Sequence, residues 1–156
     1  QQNIFDELNM KNSLYASHTK LIPNRAPGYH KRKDFSNARY ISHTLPYAGG
    51  SLMSSVDDLN LWQQALSSNK LLKKETLQKA YTNYTLNNGD KINYGYGWNI
   101  AKIGNETSYE HGGSIFGYKS MGIYIPNKDI YAIILTNCDC TSPTRLTRQI
   151  TKLMLE

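Results

Sequence analysis

Apolar residues recur at helical spacing in three stretches of this chain and alternate with polar ones in a fourth, and that contrast divides it. A helix is predicted from near Ser54-Ser55 to about Leu66, with Leu59, Trp62, Ala65 and Leu66 on one face. Ser55 and Asp58 form a capping-box-like start with a shorter acid, and Asp57 and Asp58 favour the positive helix end. A second, shorter helix from Lys74 to about Tyr81 groups Leu77, Ala80 and Tyr81. Strands are predicted over Tyr94 to Ile100, Thr107 to Glu110, Tyr118 to Ile125 and Ile130 to Asn137. Gly104-Asn105 and Pro126-Asn127-Lys128-Asp129 provide two of the turns. Pro143 opens a final amphipathic helix carrying Leu146, Ile150 and Leu153.

The N-terminal third is less regular. Ile4, Phe5 and Leu8 share one face, so residues 1–10 read as the last turns of a helix stopped at Asn9. A chain that opens inside a helix leads us to expect a piece of a longer protein. Residues 11–47 hold three Pro-bounded segments and no sustained period, which reads as a long functional or wrapping loop. The expected organisation is a single partial domain over 1–156: loop-rich 1–53, helical 54–81, antiparallel strands 94–137 and a C-terminal helix at 143–155. This is an α+β layout in which the last helix covers one face of the meander. Ile123, Ile133 and Leu135 are assigned to its other face. That face then needs cover from a helix outside these residues, or from a second copy in a dimer.

Composition narrows the classes without choosing among them. The 156 residues suit one domain with its own core, and the longest apolar run, Ile130 to Leu135, is strand-sized rather than membrane-spanning. Gln1 to Phe5 lacks the basic start and apolar core of a signal peptide. Net charge is +6, but the densest basic cluster, His30-Lys31-Arg32-Lys33, has no nucleic-acid motif around it and reads as a solvated loop. Cys138 and Cys140 stand one residue apart, a spacing that disfavours a mutual disulfide, and no further ligand completes a zinc set. His18, His30 and His43 fall in loops without metal-ligand spacing and read as surface residues. No metal or cofactor is expected.

Several ordered segments resemble one family. Ile4-Phe5-Asp6-Glu7-Leu8-Asn9-Met10-Lys11-Asn12-Ser13 is similar to the "IFxPLGMxxT" segment of class C β-lactamases, penicillin-binding-protein-like esterases and D-aminopeptidases. The run from Ala48-Gly49-Gly50-Ser51-Leu52 to Asp58-Leu59 resembles "AGGLxSTAxDL", and Leu71 to Leu77 resembles "LLSPETL". Tyr94-Gly95-Tyr96-Gly97-Trp98, His111-Gly112-Gly113, Gly117-Tyr118 and Ile134-Leu135-Thr136-Asn137 follow in the family's order. The resemblance spans nearly the whole chain and rests on that order, since each segment alone is weak. It implies the C-terminal portion of the β-lactamase/DD-peptidase-like fold. Of the three motifs that meet in that family's cleft, S-x-x-K and Y-x-N precede the segment matching Ile4 to Met10, and H-G-G replaces K-T-G here.

Literal copies of the two upstream motifs do occur. Ser17-His18-Thr19-Lys20 and Ser67-Ser68-Asn69-Lys70 both read S-x-x-K, but with 13 Ser and 13 Lys roughly one accidental match is expected. An acylated serine belongs at a helix N-terminus, where free N–H groups and the dipole stabilise an alkoxide. Ser67 follows the C-terminal end of its helix, and Ser17 has Pro23 and Pro27 after it rather than a helix. Tyr81-Thr82-Asn83 reads Y-x-N out of family order. All three are read as coincidence, which leaves the chain without its nucleophile.

His111-Gly112-Gly113-Ser114 carries the chemistry that remains. Paired glycines inside a strand forgo packing and mark close approach by a ligand or another backbone, with an ordinary bulge as the alternative. The resemblance implies that Gly112 and Gly113 receive the substrate like an added strand, and that the Ser114 backbone N–H is one oxyanion donor. His111 stands where K-T-G has lysine. An imidazole titrates near neutrality and is no fixed positive charge, which leans the reading from carboxylate-bearing β-lactams toward esters and peptides. Tyr47 and Gly49 are expected at the cleft mouth, with a packed aromatic beside a tight turn as the alternative.

The expected protein is therefore an acyl-serine hydrolase acting on an amide, ester or β-lactam, inactive as these residues alone. Its expected partners are a small-molecule or peptide substrate and the rest of the same chain, with no nucleic acid. Export to the cell envelope follows from the resemblance only. The alternative is a non-catalytic, penicillin-binding-like sensor of peptidoglycan peptides.

Overall fold

The computed structural model describes residues 1–156. In chain order the strands are β1 (Leu14–Tyr15), β2 (Tyr29–Lys31), β3 (Phe35–Asn37), β4 (Leu52–Met53), β5 (Asn99–Ile103), β6 (Glu106–Ile115), β7 (Tyr118–Ile125) and β8 (Ile130–Thr136). The helices are α1 (Val56–Ser67), α2 (Lys74–Ala80) and α3 (Pro143–Leu153). β5-β6-β7-β8 form one antiparallel meander, while β1 pairs with β4 and β2 with β3 in two-stranded ribbons. The α+β layout is as the sequence predicts.

Direct pairing fixes the two faces of the meander, because opposed residues share a face. Glu110 opposes Ile123, and Ile123 opposes Ala132. This side packs under α3, with Ile103, Met121, Ile123 and Ile125 buried together against Leu155. Ile123 therefore belongs to the α3 face, not to the opposite one assigned from sequence. Thr147 and Thr151 let α3 approach closely, each returning its hydroxyl to a helix carbonyl one turn back, Pro143 O at 2.7 Å and Thr147 O at 2.8 Å.

Tyr109 opposes Tyr124, and Tyr124 opposes Tyr131, on the second face. Tyr81 stacks on Tyr109 with ring centroids 3.8 Å apart, and Trp62 of α1 stacks on Trp98 at 5.7 Å. α1 and the end of α2 thus cover this face with an aromatic layer. Burial pushes the Tyr81 and Tyr131 phenols up to about 12, so both stay protonated. Ile133 is half-buried there and Leu135 remains 37% exposed.

Several predicted boundaries move. Residues 94–98 do not form a strand: Gly97 has φ +78° and the Gly95 N–H donates to Trp98 O at 2.8 Å. A Cβ on Gly95 would overlap the Ala80 carbonyl oxygen, so this turn is pressed against the end of α2. β6 runs five residues beyond the predicted Glu110, to Ile115. At the N-terminus a π-helical turn covers Gln2–Asp6 and is capped at Glu7, two residues before the expected stop at Asn9, where the chain turns with φ 56°. Leu8 and Met10 pack on Ala65 of α1.

Asp58 departs from the capping-box expectation. Ser55 does cap α1, accepting from the Asp58 N–H at 3.2 Å. The Asp58 carboxylate, however, reaches back to residues 12 and 13, accepting from Asn12 N at 2.8 Å and Ser13 Oγ at 2.7 Å. The 11–47 region is likewise less free than its composition suggests. β1 and β4 tie its start to the lead-in of α1, and Tyr29 N donates to Asn137 O at 2.9 Å. Cys138 and Cys140 are joined by a disulfide, contrary to the reading from their spacing. The chain turns sharply after β8 and brings their Cα atoms to 5.2 Å, inside the bonding range.

Candidate active site

β6 extends past the end of β5, and this overhang defines the site. β5 pairs only as far as Glu110, opposite Asn99, so residues 111–115 have β7 on one side and an open edge on the other. The Phe116-Gly117 turn closes on Ile115 and Tyr118, whose two-residue loop makes them a hydrogen-bonded pair. Antiparallel alternation then directs the N–H and C=O of Gly113 toward Ser120, and those of Ser114 and Gly112 toward the open edge. The Ser114 N–H is thus an exposed donor on a strand edge, the geometry that an oxyanion or an added peptide strand requires.

The glycines explain how β6 and β7 approach here. A Cβ on Gly113 would stand 2.7 Å from Ser120 Oγ, and one on Gly112 would stand 3.1 Å from Ser120 O. Of the two sequence alternatives for this pair, close backbone approach fits; the ladder runs through both residues without a bulge.

His111 is exposed on the aromatic side of the sheet, and its Nε2 lies 2.9 Å from Tyr94 Oη. The sequence places Tyr94 in a strand, which hides its reach to His111. The signal was the Tyr94-Gly95-Tyr96-Gly97 segment, whose glycines bend the chain and aim the phenol at the imidazole. The next residue back, Glu110, faces α3 and is held by Arg148 Nη1 and by Ser108 Oγ at 2.7 Å.

A cavity of about 350 Å³ adjoins the open edge, lined in part by Gly49, Gly50, Ser114, Ile115, Phe116 and Asp139. Gly49 and Ser114, both singled out from sequence, therefore meet in one cavity. Tyr47 does not line it: it starts the 3-10 turn Tyr47–Gly49 with φ 45°, is exposed, and lies edge-on to Tyr15 at 6.3 Å. The turn holds Gly49 in place, with Tyr47 O accepting from Ser51 N at 2.9 Å.

Of the three loop histidines, His18 is exposed as expected, whereas His30 and His43 are partly buried. His18 and His43 stack with centroids 4.1 Å apart, and both His43 ring nitrogens are buried without partners. Desolvation lowers the His43 pKa, and the neighbouring His18 and Arg25 lower it further. His30 donates or accepts through Nδ1 at Asp139, while its Nε2 accepts from Arg39 N at 3.0 Å. Only Lys31, Arg32 and Lys33 of the basic cluster are exposed. Ser17 Oγ accepts from Thr19 N and Lys20 N at 3.2 Å each in a local turn, and Ser67 Oγ donates back to Gln64 O at 3.2 Å. Neither serine stands at a helix N-terminus. No group of three His, Cys, Asp or Glu side chains is placed to hold a metal ion.

A sheet with α3 on one face, a helical layer on the other and an open glycine-bearing strand between them is the frame of the penicillin-recognising serine hydrolases. The Beta-lactamase family profile matches residues 1–153, and the chain belongs to that family. It is 20% identical over 137 residues to a D-aminopeptidase of Gluconobacter oxydans, covering 88% of this chain and 26% of that protein. It is 35% identical over 83 residues to penicillin-binding protein 4* of Bacillus subtilis, covering 51% and 18%. The octameric penicillin-binding protein homologue of Pyrococcus abyssi superposes with a TM-score of 0.81 at 25% identity, over 99% of this chain and 36% of that one. A D-stereospecific amidohydrolase from Streptomyces sp. superposes with a TM-score of 0.79 at 19% identity, over 99% and 47%. The chain thus spans about a quarter or less of these curated relatives and under half of these solved structures.

Proposed function

We propose that the protein is a serine hydrolase that forms an acyl-serine intermediate on an amide, ester or β-lactam. In this reading its 156 residues supply the substrate-receiving wall, and the serine, lysine and tyrosine come from S-x-x-K and Y-x-N in a preceding segment. One observation carries the reading: the Ser114 N–H faces an open strand edge beside a cavity, rather than a neighbouring strand. The scissile carbonyl docks on that edge, and its oxygen takes negative charge as the serine attacks. Ser114 N–H donates to the oxyanion, and the nucleophile's own N–H is the second donor. Tyr94 orients His111, which hydrogen-bonds the substrate or relays a proton as the leaving group departs. Water then attacks the acyl-serine and releases the acid. Ile133 and Leu135, partly open on the aromatic side, receive the preceding segment, with a second copy as the other occupant.

The residues alone are then inactive. The family relationship favours export to the cell envelope, and no helix here is long and apolar enough to cross a membrane.

Labelling the folded full-length protein with a fluorescent penicillin and with an acyl-ester probe, then weighing the adduct, tests the reading. One acyl group on one serine is expected. Reversible binding without an adduct from either probe overturns it and favours the non-catalytic sensor.

A further inference from the structure

We propose that the cavity beside Ser114 is an anionic subsite that binds an ammonium group of the substrate through Asp139 and rejects carboxylates. The inference rests on the acyl-serine reading for its consequence in turnover, but not for binding itself.

The cavity walls are mostly uncharged. Ile41, Pro46, Ile115 and Phe116 are apolar, Gly49 and Gly50 carry no side chain, and Asp139 is the one charged residue lining it. A group bound there meets the Asp139 carboxylate as the one charged side chain among the lining residues.

Asp139 is held there from three directions. It sits between Cys138 and Cys140, which the disulfide ties together. Its N–H donates to Tyr29 O at 3.2 Å, and its Oδ2 meets His30 Nδ1. The role of His30 follows from its other nitrogen. Nε2 accepts the Arg39 N–H at 3.0 Å, so it carries no proton, and the neutral ring must donate from Nδ1 to Asp139. His30 orients the carboxylate without cancelling its charge.

Oδ1 has no hydrogen-bond partner in the protein, and the Asp139 side chain keeps 33% of its surface. Phe116, edge-on to His30 at 6.2 Å, adds an apolar wall on which the body of an amine-bearing residue can rest. An ammonium entering the cavity finds a charge-assisted acceptor at Oδ1, whereas a carboxylate meets like charge. The preferred substrate is therefore an aminoacyl amide or ester with a free amine. Substrates bearing a carboxylate at this position are disfavoured.

The test uses the full-length protein and matched p-nitroanilides of one apolar amino acid, in D and L forms, with the α-amine free, N-acetylated or N-succinylated. We expect kcat/KM for the free amine to exceed that for the N-acetyl form by about tenfold or more, carried mainly by KM, with the succinylated form slowest. Asp139→Asn should reduce that ratio to near one. A wild-type ratio near one, or a ratio unmoved in a folded Asp139→Asn protein, overturns the proposal. A ligand-observed NMR titration with benzylammonium, benzyl alcohol and benzoate reads the same preference without turnover or a variant. If no anilide is hydrolysed and neither acylating probe leaves an adduct, the acyl-serine reading fails while tighter binding of benzylammonium still supports the subsite. Equal binding of the three ligands overturns the subsite whatever the turnover.

Discussion

Arg148 of α3 reaches through the edge of its helix to the carboxylate of Glu110, the residue immediately before His111. Its Nη1 pairs with Glu110 Oε1 and its Nη2 donates to Lys102 O at 2.7 Å, so one guanidinium ties α3 to both β5 and β6. Glu110 is only 4% exposed, and Ser108 Oγ satisfies the same oxygen. Arg148→Ala leaves that carboxylate buried with one weak partner. We expect a loss of about 2–3 kcal/mol in urea unfolding of the full-length protein, below the figure for fully buried pairs because Arg148 is partly solvated. Adding Glu110→Gln should recover most of the loss, since the stranded charge is what destabilises the single variant.

Asp58 predicts a second, independent loss. Its carboxylate is 2% exposed and holds Asn12 N and Ser13 Oγ, joining the N-terminal segment to the first turn of α1. Asp58→Ala should cost about 2–3 kcal/mol, because it strands the Asn12 N–H, takes one of two partners from Ser13 Oγ and removes an acid from a helix N-terminus. Ser13→Ala removes the bonds to Asp58 Oδ2 and Ser54 Oγ but leaves the carboxylate with Asn12 N, so its cost should be about 1–2 kcal/mol, below that of Asp58→Ala. The two unfolding midpoints, compared with the wild type, check the ordering.

The elements that periodicity reports were legible in the sequence. α1 and α3 each carry an apolar stripe set by burial on one side, β7 and β8 read as continuous apolar runs, and the bounds of all four fall within about two residues of expectation. What periodicity does not report was missed. Tyr94 reaches His111 because Gly95 presses on the Ala80 carbonyl, a contact between residues fifteen apart that no local pattern encodes. Ile123 was placed on the wrong face because a strand buried on both sides offers no alternation to read. Asp139 was invisible as a cavity residue, since its place depends on the Cys138–Cys140 turn and on His30, more than a hundred residues away. Ser114 and Gly49 were found through ordered family motifs, which report ancestry rather than packing.

Gly113 gives a prediction about the site itself. Gly113→Ala directs a methyl group at Ser120 Oγ, 2.7 Å from the new Cβ, so either the Ser120 hydroxyl turns to another rotamer or β6 and β7 part where Ser114 needs its edge position, and we expect the second. Removing the obstructing hydroxyl with Ser120→Ala should restore the spacing. We expect Gly113→Ala to slow formation of the covalent adduct in the full-length protein by about tenfold, on the scale of a misplaced oxyanion donor. The double variant should recover most of that rate. Equal rates in the two variants would mean that the β6–β7 spacing is not what the glycine protects.

His43 makes stability depend on pH in a direction that can be worked out. Desolvation of its ring, then the nearby His18 and Arg25, lower its pKa in the folded chain from the ordinary 6.5. Between that lowered value and 6.5 the unfolded chain binds more protons than the folded one, so stability rises with pH across this window. The contribution is complete above 6.5 and is lost progressively as the solution is acidified. His43→Phe keeps an aromatic ring against His18 but has nothing to protonate. The expected outcome is a urea midpoint that falls less from pH 7.5 to 5.5 in His43→Phe than in the wild type. A variant as acid-sensitive as the wild type would place the pH dependence elsewhere in the chain.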